Sequence, residues 1–214
     1  MNAEMERLIS AASAPLSDAD PAALGWPGTD GLLLLLARKN GFYAFESALH
    51  VFPAAPAGAP GRSLAEWNAP GLWKAAYGDL APTGVCFAED VFGGQFVLGP
   101  DGTVDRFDPE AAATTTIAGS VTEWVALVLA DYDYETGFPV AHDWQIGHGA
   151  LRPGHRLLAR VPFILGGEYA AVNMVGADAA VAMTYRAGLA HQTATVPDGG
   201  QISWDISVVD TLAT

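Results

Sequence analysis

The sequence has little cysteine and little basic charge, and each shortage excludes a class of protein. Cys86 is the only cysteine in 214 residues, so no disulfide can form within the chain, which favours a reducing compartment. It lies in an apolar run with no group nearby to lower the pKa of a thiol, so we expect it to be buried and inert. Lys and Arg total 10 against 24 Asp and Glu, for a formal net charge of −14. Binding to nucleic acid needs clustered basic residues and is not expected.

Long apolar runs are also absent. The first ten residues carry acids and do not resemble a signal peptide, and Leu32 to Leu36 is too short to span a bilayer. Hydrophobic residues make up 50% of the chain and charged residues 16%, so a folded core is expected. The composition therefore predicts a cytoplasmic protein without a membrane anchor. Its acidic surface favours basic partners, or serves only to keep the protein soluble.

The first part of the chain predicts two helices. Met5, Leu8, Ile9 and Ala12 follow helical spacing, and residues 13–27 form a connector rich in Pro, Ala and Asp. A Leu-rich second helix of about ten residues is expected to follow. Its proposed end signals are Thr29 or Asp30 at the start, Arg38 and Lys39 in the last turn, and Asn40-Gly41 at the end.

Strands are predicted in the middle of the chain. One strand covers Leu49 to Phe52, and a segment with Trp67, Trp73 and Tyr77 follows a Pro- and Gly-rich loop. Turn signals at Gly93-Gly94 and at residues 100–102 then indicate an antiparallel meander. Its expected strands are residues 85–88, 95–98 and 103–107.

The strongest helix signal begins at Ser120, because Ser120 and Glu123 have the spacing of a capping box. An apolar stripe follows, formed by Val121, Trp124, Val125, Val128, Leu129 and Tyr132. Trp124 is expected in the core.

Beyond the stripe we expect residues 136–160 to be rich in loops and residues 161–175 to form a strand pair around Gly166-Gly167, with Pro162 marking an edge strand. A last helix over 177–193, with Asp178 in its first turn, and a final strand over 202–209 complete the prediction. The fold class is α+β, with a largely antiparallel central sheet flanked by helices, in a single domain with a C-terminal extension. We divide it into an N-terminal helix and connector (1–28), a core (29–135) and the extension (136–214).

No complete catalytic or cofactor motif is present. Glu89 and Asp90 are adjacent, and consecutive residues point apart, so turn capping is favoured over paired catalytic carboxylates. His142, His148 and His155 do not have the spacing of a metal site. No phosphate-binding Gly-rich loop and no nucleophile elbow occurs. The sequence therefore predicts no catalytic, cofactor-binding or metal-binding residues. One alternative stays open, an enzyme site assembled from these three histidines and Glu168.

The densest acidic and aromatic cluster is Asp131, Tyr132, Asp133, Tyr134 and Glu135. It is expected at the C-terminal end of the strong helix, where negative charge opposes the helix dipole. A placement that costs stability hints at function, and Tyr is enriched in protein interfaces. The alternative is a solvated helix end. We predict that these five residues, with Trp144, Glu168 and Tyr169 in the extension, form a partner-binding surface.

Three segments stand out in order along the chain: residues 40–53, NGFYAFESALHVFP; residues 87–96, FAEDVFGGQF; and residues 120–124. Together they resemble the SUKH superfamily, which includes fungal cell-wall assembly regulators and bacterial toxin-immunity proteins. The resemblance covers about residues 29 to 132, and residues 162–169 with Asn173 resemble a longer bacterial branch. The family motifs fall on Asn40, Gly41, Glu89, Asp90, Gly93 and Trp124. From their positions in the sequence, we interpret these residues mainly as caps, turns and core.

The resemblance implies an α+β binding module and carries over no catalytic residues. It implies an immunity protein that neutralises a cognate bacterial toxin by occlusion, and the net charge of −14 favours a basic toxin domain. The alternative is a regulatory scaffold of the same family without a toxin partner. No cofactor, nucleic acid or membrane is expected to bind.

Overall fold

The predicted meander is present and is the middle of a larger sheet. The computed structural model describes residues 3–21, 24–196, 200–202 and 204–213, and six strands in it form one antiparallel sheet in chain order. Two further strands form a separate antiparallel pair. The elements are α1 (Ala3–Ser10), α2 (Asp30–Arg38), β1 (Phe42–Ala44), β2 (Leu49–Val51), α3 (Leu64–Trp67), α4 (Lys74–Tyr77), β3 (Val85–Asp90), β4 (Gln95–Leu98), β5 (Val104–Asp108), β6 (Ala113–Ala118), α5 (Val121–Ala130), α6 (Tyr132–Thr136), α7 (Phe138–His148), β7 (His155–Ala159), β8 (Met174–Asp178), α8 (Ala179–Thr195) and α9 (Ile206–Thr211).

The α+β class with an antiparallel central sheet flanked by helices is confirmed. Burial on both faces of the central strands explains why apolar and polar residues alternate imperfectly in them. Every residue of β3 and β4 except Asp90 is buried, and successive side chains point to opposite faces, so both faces of the sheet are covered at these strands. A bulge at Phe87 interrupts the pairing of β3 with β4, and its ring meets the buried Trp124 of α5 at 4.9 Å.

Helix ends differ from prediction in their bonding. α2 begins at Asp30, but the Thr29 hydroxyl donates to the Trp26 carbonyl instead of capping the helix. Lys39 donates from Nζ to backbone carbonyls of the preceding segment at Ile9 and Ser13 (2.7 and 2.8 Å) instead of to the end of its own helix. Gly41 does take the left-handed conformation, with φ of 71°.

The Ser120 signal is half of a capping box. The Ser120 hydroxyl accepts from the Glu123 amide, but the Glu123 carboxylate reaches one residue further back, to the Gly119 amide at 2.9 Å. A complete capping box occurs instead at Ser63, which exchanges hydrogen bonds with Glu66 at the start of α3. Trp124 and Cys86 are fully buried, as predicted. Burial raises the Cys86 pKa to about 12.

The last part of the chain is where most of the predicted elements are wrong. Residues 136–160 contain helix α7 and strand β7. Pro139 is tolerated in α7 because it lies in the first helical turn, where its missing N–H costs no hydrogen bond. The strand pair exists, but as β7 and β8, on either side of 161–173. Pro162 therefore lies outside both strands, and two 3₁₀ turns (Phe163–Leu165 and Ala171–Asn173) take the place of the expected strands.

Two boundaries near the C-terminus also change. The last long helix, α8, is confirmed, with Asp178 as its N-cap instead of in its first turn. Residues 202–209 were expected as a strand, of which residue 203 lies outside the described residues. The helix α9 occupies Ile206–Thr211 instead, and the Asp205 side chain caps its start by accepting from the Ser207 amide.

The two halves of the chain share hydrophobic contacts. Ala179, Met183 and Ala187 of α8 belong to the same buried cluster as the central strands. The Leu157 amide of β7 donates to the Val91 carbonyl at 2.8 Å, which joins the second sheet to the end of β3. Within the described residues, no helix combines the length and apolar composition needed to cross a bilayer.

Candidate functional site

A cleft of about 660 Å³ opens where β3, β5, α8 and the α6–α7 junction meet the segment after β7. This volume is in the range of small-ligand pockets. One wall is aromatic. Phe163 and Tyr169 stack with ring centroids 3.8 Å apart, and Phe92 meets Phe163 edge-on at 5.1 Å. The cleft therefore offers an apolar wall for a flat group.

Two guanidinium groups lie in the cleft. Arg106 of β5 donates from Nη2 to the carbonyl and to the carboxylate of Glu135, while its Nε has no hydrogen-bond partner in the described part of the chain. Arg186 of α8 is 1% exposed and donates from Nη2 to the Leu157 carbonyl at 2.9 Å. Its Nη1 has no partner among the described residues. Each guanidinium therefore has one buried N–H group without an acceptor among the described residues.

Carboxylates surround these cations. Asp90 accepts from the Phe92 and Gly94 amides, both at 2.8 Å, so it caps the β3–β4 turn as predicted. Burial raises the Asp90 pKa to about 6, although Arg106 and these amides oppose the shift. Burial also raises the Glu110 pKa, against the Ile164 amide that donates to it. Carboxyl groups with raised pKa in a cleft are typical of functional sites.

The predicted cluster of residues 131–135 contributes to the cleft, but the reason given for it is wrong. α5 ends at Ala130, and the Asp131 side chain caps α6 by accepting from the Tyr134 amide. The acids therefore lie at the start of a helix, where negative charge is favourable. Asp133 and Tyr134 line the cleft, whereas Glu135 is buried in its ion pair with Arg106.

The other predicted partner-binding residues separate. Tyr132 stacks on Phe45 at 4.6 Å, away from the cleft lining. Trp144 is buried and stacks on His148 at 4.5 Å. Glu168 is exposed, and only its neighbour Tyr169 lines the cleft. The structure thus brings together Asp133, Tyr134 and Tyr169.

A second polar cluster is closed to solvent. Glu89 is fully buried on β3, so the expected turn-capping role is wrong for this residue. Its Oε1 lies 3.0 Å from His50 Nδ1 and 2.9 Å from Arg156 Nε. The contact with Arg156 is an ion pair without a hydrogen bond, because the Nε–H group does not point at the oxygen. Burial raises the Glu89 pKa, but Arg156 and hydrogen bonds from His50 and Gln95 outweigh it, so the pKa is lowered. Burial lowers the His50 pKa to about 4, which leaves the ring neutral.

The histidines of the extension do not converge. His142 pairs with Glu46 at 2.8 Å, His148 contacts the Trp144 carbonyl, and His155 lies on β7. None of the three lines the cleft. No group of three or more His, Cys, Asp or Glu side chains able to hold a metal ion occurs among the residues that the structure describes.

Sequence reasoning missed the charged floor of the cleft. Arg186 is about 80 residues away from Arg106 and Glu110 in the sequence, and no local motif joins the three. A signal existed for Arg186, because it falls three and four residues after Met183 and Ala182. This spacing places a charged side chain on the apolar face of its helix.

No family model and no curated protein matches this chain. Among solved structures, the crystal structure of Atu4351 from Agrobacterium tumefaciens is similar, with a TM-score of 0.57 and 14% sequence identity. The similarity covers 87% of this chain and 88% of that chain. At this identity the likeness shows a shared fold.

Proposed function

We propose that this chain is a bacterial immunity protein that binds and occludes a cognate toxin in the cytoplasm, without catalysis of its own. The observation that carries the proposal is the rim of the cleft. Tyr134 and Tyr169 line it and are 75% and 65% exposed, and the exposed Ile164 lies beside them. Large exposed rings grouped in this way are typical of protein interfaces.

Charge supports a basic partner. Asp133 is exposed at the same rim, and the whole chain carries a formal charge of −14. Acidic groups around aromatic anchors would steer a basic toxin domain toward the rim and speed its association. The resemblance to the SUKH superfamily supports a toxin as the partner. A regulatory scaffold of the same family would use the same rim for a cellular protein.

The proposal is tested by co-expressing the chain with a toxin encoded in a neighbouring reading frame. Tyr134→Ala combined with Tyr169→Ala removes both exposed rings without touching the buried core. We expect the double variant to bind the toxin at least about 30-fold more weakly, equivalent to about 2 kcal/mol, and to lose protection of growing cells. Asp133→Lys should slow association most strongly at low salt.

Asp79→Lys is the matched control, because Asp79 is also exposed and does not line the cleft. It should leave binding unchanged. Glu135 is unsuitable for charge reversal, since reversal would break its buried pair with Arg106. If the rim variants protect as well as the wild type, the proposed interface is wrong. Capture of a cellular protein in place of a toxin would favour the scaffold.

A further inference from the structure

The floor of the cleft holds two buried, opposite charges that do not pair with each other. Arg186 lines the cleft, although only 1% of its surface is accessible. Its Nη1 has no hydrogen-bond partner within the described residues. A buried N–H without an acceptor is costly, so this atom has an unfilled requirement for an acceptor.

Glu110 supplies the opposite charge. It is 5% exposed, and its Oε2 accepts from the Ile164 amide at 2.9 Å. No basic side chain forms an ion pair with it in the part of the chain that the structure describes. Burial raises the Glu110 pKa, and neither the Ile164 amide nor the attraction of Arg186 outweighs this effect. A cation placed beside Glu110 would relieve this cost.

We propose that the cleft binds a small zwitterion of the α-amino-acid class, with its carboxylate on Arg186, its ammonium beside Glu110 and an apolar side chain against the aromatic wall. One ligand of this kind meets both buried charges and the stacked rings of Phe163 and Tyr169. A phosphate dianion is a poor alternative, because Asp90, Asp108 and Glu110 would repel it. This site goes beyond the proposed function and does not depend on it.

The test uses three ring-bearing probes with the full chain. L-phenylalanine carries both charges, phenylalaninamide lacks the carboxylate, and 3-phenylpropionate lacks the ammonium. Dissociation constants come from titrations of backbone amide shifts in the ¹⁵N-labelled protein, where the Ile164 and Gly94 amides report the site. We expect L-phenylalanine to bind at least tenfold more tightly than either analogue, with the largest shifts at these amides.

Glu110→Gln is the decisive variant, since its amide oxygen can still accept from the Ile164 amide. We expect it to weaken L-phenylalanine at least fivefold and to leave 3-phenylpropionate no weaker. Glu168→Gln removes the same charge from an exposed neighbour outside the cleft and should change neither constant. Arg186→Met, which removes the positive charge, should remove the preference for L-phenylalanine over its amide.

Three results would overturn the proposal: no binding of L-phenylalanine at 10 mM, equal binding of phenylalaninamide, or shifts confined to residues outside the cleft. None of these results bears on toxin binding. Loss of growth protection in the rim variants, conversely, says nothing about the amino-acid site, so the two proposals fail separately.

Discussion

Removing the Arg156 guanidinium should destabilise the protein strongly. Glu89, His50 and Arg156 are each at most 1% exposed, so the Glu89 carboxylate has no access to water. Arg156→Met would leave that carboxylate buried beside neutral groups. We expect a loss of about 3–5 kcal/mol in the free energy of unfolding at pH 7.5, the usual cost of an orphaned buried charge. This is a large share of the roughly 5–15 kcal/mol that holds a domain folded.

The loss should depend on pH in a defined direction. In the wild type the lowered Glu89 pKa contributes stability above the unfolded-state pKa, and this contribution is lost only as pH falls through the lower folded-state value. Without Arg156, burial is left as the main influence and raises the Glu89 pKa. The charged Glu89 carboxylate then lowers the variant's free energy of unfolding at pH values above this raised pKa. The loss becomes smaller as the pH falls and the carboxyl takes up a proton. The difference from the wild type should therefore shrink between pH 7.5 and pH 5.

Urea unfolding followed by Trp fluorescence measures these differences. Arg156→Met combined with Glu89→Gln should be more stable than Arg156→Met alone, because no charge is left unpaired. Arg152→Met is the control, since Arg152 is exposed, and should change stability by less than about 0.5 kcal/mol. A loss below about 1 kcal/mol, or an equal loss at both pH values, would refute the reasoning.

Three further experiments test other parts of the fold. Glu110→Gln should stabilise the protein at pH 7.5, because the raised pKa of Glu110 means that its charged form costs stability in the fold. The gain should vanish at a pH below the unfolded-state pKa of Glu, and urea unfolding at pH 7.5 and at that lower pH measures it. Ser63→Ala removes the complete capping box and should cost about 1 kcal/mol, whereas no loss would show that the box adds nothing. Cys86 should react with Ellman's reagent only after denaturation, and rapid reaction of the native protein would contradict its burial.

Local signals allowed the centre of the fold to be predicted. The turns at Gly93-Gly94 and residues 100–102 separate strands that pair with their immediate neighbours, so the meander needs no long-range information. The stripe from Val121 likewise places Trp124 in the core. β6 was missed because its Thr-rich sequence is mostly exposed and has no apolar alternation.

The C-terminal part could not be predicted in the same way. Pro139 resembles a loop residue in the sequence, yet it lies in the first turn of α7, which begins directly after the left-handed Gly137. The role of the acids at 131–135 depends similarly on one backbone change. Asp131 has φ of −152° and ψ of 68°, which ends α5 and starts α6. A single residue therefore turns an unfavourable helix end into a favourable helix start.

The candidate site was predicted only at its rim. Asp133, Tyr134 and Tyr169 were identified because acids and exposed rings are recognisable in short segments. The floor depends on the packing of α8 against the end of the central sheet, which brings Arg186 close to the Gly93 turn. Whether a buried charged group finds a partner depends on this packing, and no sequence pattern indicates it.

The two buried arginines show how pairing separates a structural role from a binding role. Arg156 lies at ion-pair distance from Glu89, in a cluster closed to solvent, and its charge is compensated within the fold. Arg186 is equally buried, but it lines an open cleft and forms no ion pair with the described residues. Its Nη2 donates to the Leu157 carbonyl, which ties α8 to β7, but its Nη1 has no acceptor among the described residues. The carboxylate of the proposed zwitterion would supply that acceptor from the cleft.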